Sequence, residues 1–189
     1  MNRTLNYVQK ASRIPGGFFI SINPPTFAAM RYRKLHLEEL EELRSEFVQF
    51  LAANSIPADE WEELKKKDKE KAETLIEMFS DIFWEKALGN IQCVELREPK
   101  RLRVVRFEEE EAKLIEMRIP NGSSLDFTNG ADITALSQGK IDLAAENLEM
   151  YTGQRAYSGK RNEELFGFIE QGAQPCKLVV WETLRRMIK

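Results

Sequence analysis

Residues 91–119 read IQCVELREPKRLRVVRFEEEEAKLIEMRI, and the period of that stretch settles the class of fold. Upstream of it, apolar residues recur at steps of three and four. Within it they alternate with charged residues at a step of two, the signature of a strand buried on one face. The alternation predicts three strands, 91–97, 101–107 and 112–119, joined by turns at Glu98-Pro99-Lys100 and Glu108–Glu111. Paired antiparallel, they set Val94 beside Val104 and Ile115, and Leu96 beside Leu102 and Met117, on one apolar face. The other face aligns Glu95, Arg103 and Glu116 as a ladder of opposite charges. On that same face Cys93, Val105 and Leu114 form an apolar row, which a later helix or another molecule is expected to cover.

Working back toward the N-terminus, the period is helical. Leu37, Leu40, Leu43, Phe47, Phe50 and Leu51 line one face of a helix over 37–53, with His36 at its N-cap and Glu39 three residues on. Pro57 opens a short helix with Asp59 and Glu60 in its first turn and Lys65-Lys66-Lys67 at its end, charges that suit the helix dipole. A longer helix spans 69–88, capped by Asp68 and stopped by Gly89, its core stripe running Ala72, Leu75, Ile76, Phe79, Ile82, Phe83 and Ala87. Trp84 falls off that stripe.

Working forward, the pattern is weaker. Leu125–Thr128 reads as a fourth strand, 132–150 as short helices, 162–171 as a helix ended by Gly172, and Leu178–Trp181 as a strand followed by a helical turn or two. Helices first and a meander after predict an α+β fold. The expected architecture is an N-terminal helical half, two long helices and a short one, packed on an antiparallel three- to four-stranded meander, with short C-terminal helices. Residues 30–189 are expected to form a single α+β domain.

Composition bounds what such a domain does. The chain has 189 residues, 42% hydrophobic and 31% charged, and a net charge of −3, which describes a folded, charge-rich protein. No apolar run reaches the ~20 residues of a membrane span. Two distant cysteines make no disulfide framework and fit a reducing, cytoplasmic setting. Residues 1–29 carry Arg3, Lys10 and Arg13 and no acid, so the remainder is more acidic than the whole. That balance argues against nucleic acid as the partner.

The first 29 residues are broken by Pro15-Gly16-Gly17 and Pro24-Pro25. Gly17–Ile22 and Phe27-Ala28-Ala29 imitate a secretion signal and its cleavage site, but the apolar run is short and interrupted. They are read as a flexible arm or a start-site artefact, with translation beginning at Met30.

Several stretches also resemble a known family. They are Met30-Arg31-Tyr32-Arg33-Lys34-Leu35, Glu38-Glu39-Leu40-Glu41-Glu42-Leu43, Phe47-Val48-Gln49-Phe50-Leu51-Ala52-Ala53-Asn54, Ile56-Pro57-Ala58-Asp59-Glu60-Trp61 and Glu77-Met78-Phe79-Ser80-Asp81-Ile82. Glu163-Glu164-Leu165-Phe166 and Glu170-Gln171-Gly172-Ala173 continue the likeness. Together they resemble a family of unknown function from Bacteroidetes, over much of 30–189 and most strongly through residue 88. The resemblance implies a bacterial, cytoplasmic protein that starts at Met30. It brings no activity and no site residue.

Chemistry is sparse. His36 stands alone, without the second imidazole or cysteine that nucleophilic catalysis would pair with it. Cys93 in an apolar row is a core or interface residue, Cys176 has only Lys177 to activate it, and a zinc site needs more ligands than the chain clusters. No catalytic residue, cofactor or metal ligand is assigned. Gly153–Arg161 is a failed phosphate loop: its spacer is one residue too long and Arg161 replaces the Ser or Thr. Arg155, Lys160 and Arg161 remain as a possible anion contact near a helix N-terminus.

Two surfaces are candidates for a partner. Glu73, Glu77, Asp81 and Glu85 form an acidic stripe at four-residue spacing, beside which Trp84 is a candidate interface anchor. The Cys93, Val105 and Leu114 row is the other. The first functional expectation is a non-catalytic protein-interaction or assembly-subunit domain, with a protein partner or a second copy. The alternatives are an enzyme or small-ligand domain using Asp126, Arg155 and Arg161, and an RNA-binding protein using Arg97, Lys100, Arg101, Arg103 and Arg106.

Overall fold

The computed structural model describes residues 12–13, 32–141 and 146–188. The arm expected over 1–29 and the start expected at Met30 lie outside the described residues, save for Ser12–Arg13. The fold is α+β, helices first and an antiparallel meander after. The described residues group into two compact units, one within 24–90 and the other holding 91–189.

The first unit holds α1 (Leu37–Glu42), α2 (Arg44–Ala53), α3 (Ala58–Lys67) and α4 (Lys69–Gly89). The single helix expected over 37–53 is broken at Leu43, whose φ of −98° and ψ of 21° leave the helical range. Asp68 caps α4 as its side chain accepts from the Lys71 amide at 3.0 Å. The core is aromatic. Phe47 packs edge-on against Trp61 (5.2 Å between centroids) and Phe79 (5.0 Å), and Phe50 sits 5.5 Å from Phe79. Leu51, Ile56 and Leu75 are buried beside them.

The second unit is a sheet ordered β1-β5-β4-β3-β2-β6. Its strands are β1 (Ser12–Arg13), β2 (Cys93–Glu98), β3 (Arg101–Phe107), β4 (Glu111–Arg118), β5 (Glu149–Ala156) and β6 (Gln174–Pro175). Its helices are α5 (Gly130–Ser137), α6 (Arg161–Glu170) and α7 (Leu178–Met187). β1 runs parallel to β5 and every other pairing is antiparallel.

The β3–β4 register is the expected one: Val104 opposes Ile115, Leu102 opposes Met117 and Arg103 opposes Glu116. The β2–β3 register differs by one residue. Glu98 pairs with Arg101, so the hairpin loop is Pro99-Lys100 rather than three residues, and Val94 opposes Val105. A slip of one exchanges the faces of the whole strand. Cys93 and Glu95 therefore join the face of Leu102 and Val104, while Val94 and Leu96 join the face of Arg103 and Val105. The Glu95 rung of the charge ladder is lost, and Glu95 stands opposite Val104.

Each face acquires its own cover. Trp181 and Leu184 of α7 pack with Cys93, Leu102, Val104, Ile115 and Met117, joined by Phe127 and Leu136. On the other face Phe107 meets Phe168 of α6 edge-on at 5.7 Å. Three expectations for the C-terminal half change. Leu125–Thr128 is not a strand; the fourth strand of the meander is β5. The segment from Leu178 is helical from its first residue, since Trp181, Leu184 and Ile188 recur at the helical step and pack as one face. Within 132–150 the described residues hold the end of α5, then the start of β5.

Candidate functional site

The acidic stripe and Trp84 project from α4, and the structure shows what they hold. Residues 32–35 lie against the helix as a strap. Asp81 Oδ1 accepts from the Tyr32 amide at 3.1 Å, and Glu85 Oε2 accepts from the Tyr32 hydroxyl at 2.6 Å. Lys34 pairs with Glu73. Ser80 Oγ accepts from the Leu35 amide at 3.0 Å and donates to the Ile76 carbonyl at 2.7 Å. Trp84 Nε1 donates to the Arg33 carbonyl at 3.1 Å, and the Arg33 guanidinium lies 4.9 Å from the indole centroid.

Carboxylates four apart on a helix repel one another. Here the amide and phenol of Tyr32 and the ammonium of Lys34 supply the donors that such a row requires. Tyr32 and Leu35 are buried by the arrangement. Arg33 then turns to Glu39 in a two-pronged pair at 2.6 and 2.7 Å. That pair, with the His36 amide at 2.7 Å, holds the Glu39 carboxyl down at about 2. The stripe is thus a docking face for the chain's own segment. Glu77, its fourth member, is half-buried and takes no bond from the strap.

The apolar row is corrected more sharply. Cys93, Val105 and Leu114 are each 1% exposed, so they offer no free interface. The register slip also places Cys93 on the face opposite Val105 and Leu114. Two residues of the expected anion contact, Arg155 and Arg161, are engaged within the chain. Arg155 forks onto Glu164 at 2.6 and 3.2 Å, and Glu164 also accepts from the Ser158 amide and hydroxyl. Arg161 donates to the carbonyls of Ile91 and Phe107 and to Asn162. Lys160 precedes α6 and is exposed.

The residues of the other two readings are likewise engaged inside the chain. Asp126 closes a turn by accepting from the Thr128 amide and hydroxyl. Arg97 pairs with Glu95, Arg101 and Arg103 with Glu98, and Arg106 with Glu108 and Glu182. Lys100 donates to the carbonyls of Ser123 and Leu125. Among the described residues no three His, Cys, Asp or Glu side chains gather in a metal-binding group, and no helix is long and apolar enough to cross a membrane.

A family model matches residues 30–189. The chain belongs to DUF6495, a family of unknown function. Neither the curated proteins nor the solved structures give a match.

Sequence reasoning missed the strap and the two thiols. The strap had a faint signal, two basic residues flanked by two apolar ones in Tyr32-Arg33-Lys34-Leu35. The thiols of Cys93 and Cys176 meet at 3.1 Å through the pairing of β2 with β6, a two-residue strand with no period to read.

Proposed function

We propose that the protein is a non-catalytic interaction domain that works as an assembly subunit and docks through the uncovered edge of α4. The observation that supports this is the pair Met78 and Ile82, 46% and 54% exposed and one helical turn apart. They lie about half a rotation round the helix from Ser80 and Trp84, the side that carries the strap. Large apolar side chains left in water beside a well-covered flank mark a contact surface.

The occupant this reading names is a second copy of the chain. Two positions four apart are self-complementary across an antiparallel two-fold, which sets Met78 of one copy against Ile82 of the other. Leu37 and Val48, 70% and 54% exposed, are further apolar residues of the same unit that such a contact can enlist. A cytoplasmic setting and an origin in Bacteroidetes belong to the same proposal, supported by the low cysteine count and the sequence resemblance.

Hydrogen exchange tests it. Amides across 74–86 should exchange more slowly as protein concentration rises, because the contact buries them only when two copies meet. Exchange at those amides that is independent of concentration removes the support.

A further inference from the structure

Cys93 and Cys176 are far apart in sequence, yet Cys176 Sγ lies 3.1 Å from Cys93 Sγ. The backbone brings them there. β2 and β6 pair Val94 with Pro175, and Cys93 and Cys176 occupy the next rung, where the Cys176 amide donates to the Cys93 carbonyl at 2.9 Å. Residues opposite one another on antiparallel strands have Cα separations of ~4.5–5.5 Å, within the span a disulfide bridges. Both cysteines are free thiols.

The two differ in access. Cys93 is 1% exposed and Cys176 is half-buried. The bond with Cys176, and burial, push the Cys93 thiol far above its ordinary range. Cys176 is therefore the sulfur an outside reagent reaches, and Cys93 the one that waits behind it.

We propose that Cys93 and Cys176 form a reversible dithiol–disulfide pair, oxidised by hydroperoxides, with Cys176 as the entry thiol and Cys93 as the resolving thiol. The Cys176 sulfur attacks one peroxide oxygen and the O–O bond breaks, leaving a sulfenic acid and releasing water or an alcohol. The Cys93 sulfur then attacks the Cys176 sulfur. The S–S bond forms, and the departing hydroxide leaves as water with the Cys93 proton. The peroxide gains two electrons and the two thiols lose them. An external dithiol returns the pair to its reduced state.

The consequence lies in α7. Cys176 stands two residues before that helix, whose Trp181 and Leu184 cover the sheet core. A disulfide fastens the entrance of α7 to β2, so oxidation restrains the helix that covers this face. A transient, redox-sensing disulfide is the kind a reducing compartment permits.

The test treats the reduced full chain with hydrogen peroxide, blocks residual thiols, and reads intact mass and non-reduced peptides. The expected product has lost the mass of two hydrogens, carries a Cys93–Cys176 cross-link, and reverts with dithiothreitol. In Cys93→Ala, Cys176 should instead accumulate sulfenic acid trappable by dimedone. Limited proteolysis within 178–188 should slow in the oxidised wild type. Two thiols that remain alkylatable after peroxide, or sulfinic acid on Cys176 with Cys93 still free, overturn the pair. A cross-link that leaves proteolysis of α7 unchanged overturns its effect on that helix.

Discussion

Trp84 Nε1 donates to the carbonyl of Arg33 at 3.1 Å while the Arg33 guanidinium rests 4.9 Å from the centre of the same indole. One side chain of α4 thus grips both the backbone and the charge of the strap. Trp84→Ala removes both contacts and part of the buried ring. For a half-buried Trp this costs about 2–3 kcal/mol, below the full core value. A urea unfolding curve of the whole chain should show the lower midpoint, with Trp84→Phe falling between the two. An unaltered midpoint contradicts the role given to Trp84.

Ser80 is fully buried and serves as both acceptor and donor between the strap and α4. Ser80→Ala leaves the Leu35 amide without its acceptor. An orphaned buried donor costs about 1–3 kcal/mol, far more than the loss of a surface hydroxyl. Exchange of the Leu35 amide should accelerate in the variant. Protection there equal to wild type shows that the bond does not form.

Glu39 gives the strap a pH dependence. Its folded carboxyl titrates at about 2 against an ordinary 4.5, held down first by Arg33. A lowered folded pKa contributes stability that is present above the unfolded value and is lost as pH falls through the folded one. Thermal melts of Glu39→Gln should therefore converge with wild type as pH drops from about 4.5 toward 2 and separate above that window. A constant difference at all pH values contradicts the pairing.

Glu164 is a buried carboxylate at 8% exposure, and Arg155 is its only cationic partner among the described ion pairs. Arg155→Met strands that charge and should cost about 2–4 kcal/mol, with the lower half favoured because the arginine is itself a third exposed. Adding Glu164→Gln should restore part of the loss in chemical denaturation. No restoration means that the carboxylate is not the source of the penalty.

The parts of the fold written in local pattern were legible. The span of α4 and its Asp68 cap follow from helical period, although Ile82, expected in the core stripe, is 54% exposed, and the β3–β4 register follows from an unbroken alternation on both strands. The β2–β3 register was not, because Glu98-Pro99-Lys100 is compatible with either loop length and only the bond pattern decides. β5 was hidden by Gly153 at its centre and by mixed polar residues on both sides. The candidate site was half legible. Trp84 and the acidic stripe stand out in the sequence, but that they hold residues 32–35 depends on a tertiary contact no period announces. The meeting of Cys93 and Cys176 depends on the same kind of contact.

Sedimentation velocity of the chain across a range of concentrations, beside Ile82→Glu, tests the docking role of α4 most directly. A charge at an exposed position is tolerated by the fold, so the variant should keep its far-ultraviolet circular dichroism. The wild type should sediment as a dimer that dissociates on dilution, and Ile82→Glu as a monomer throughout. A wild type that stays monomeric at every concentration, or a dimer that Ile82→Glu leaves intact, would contradict it.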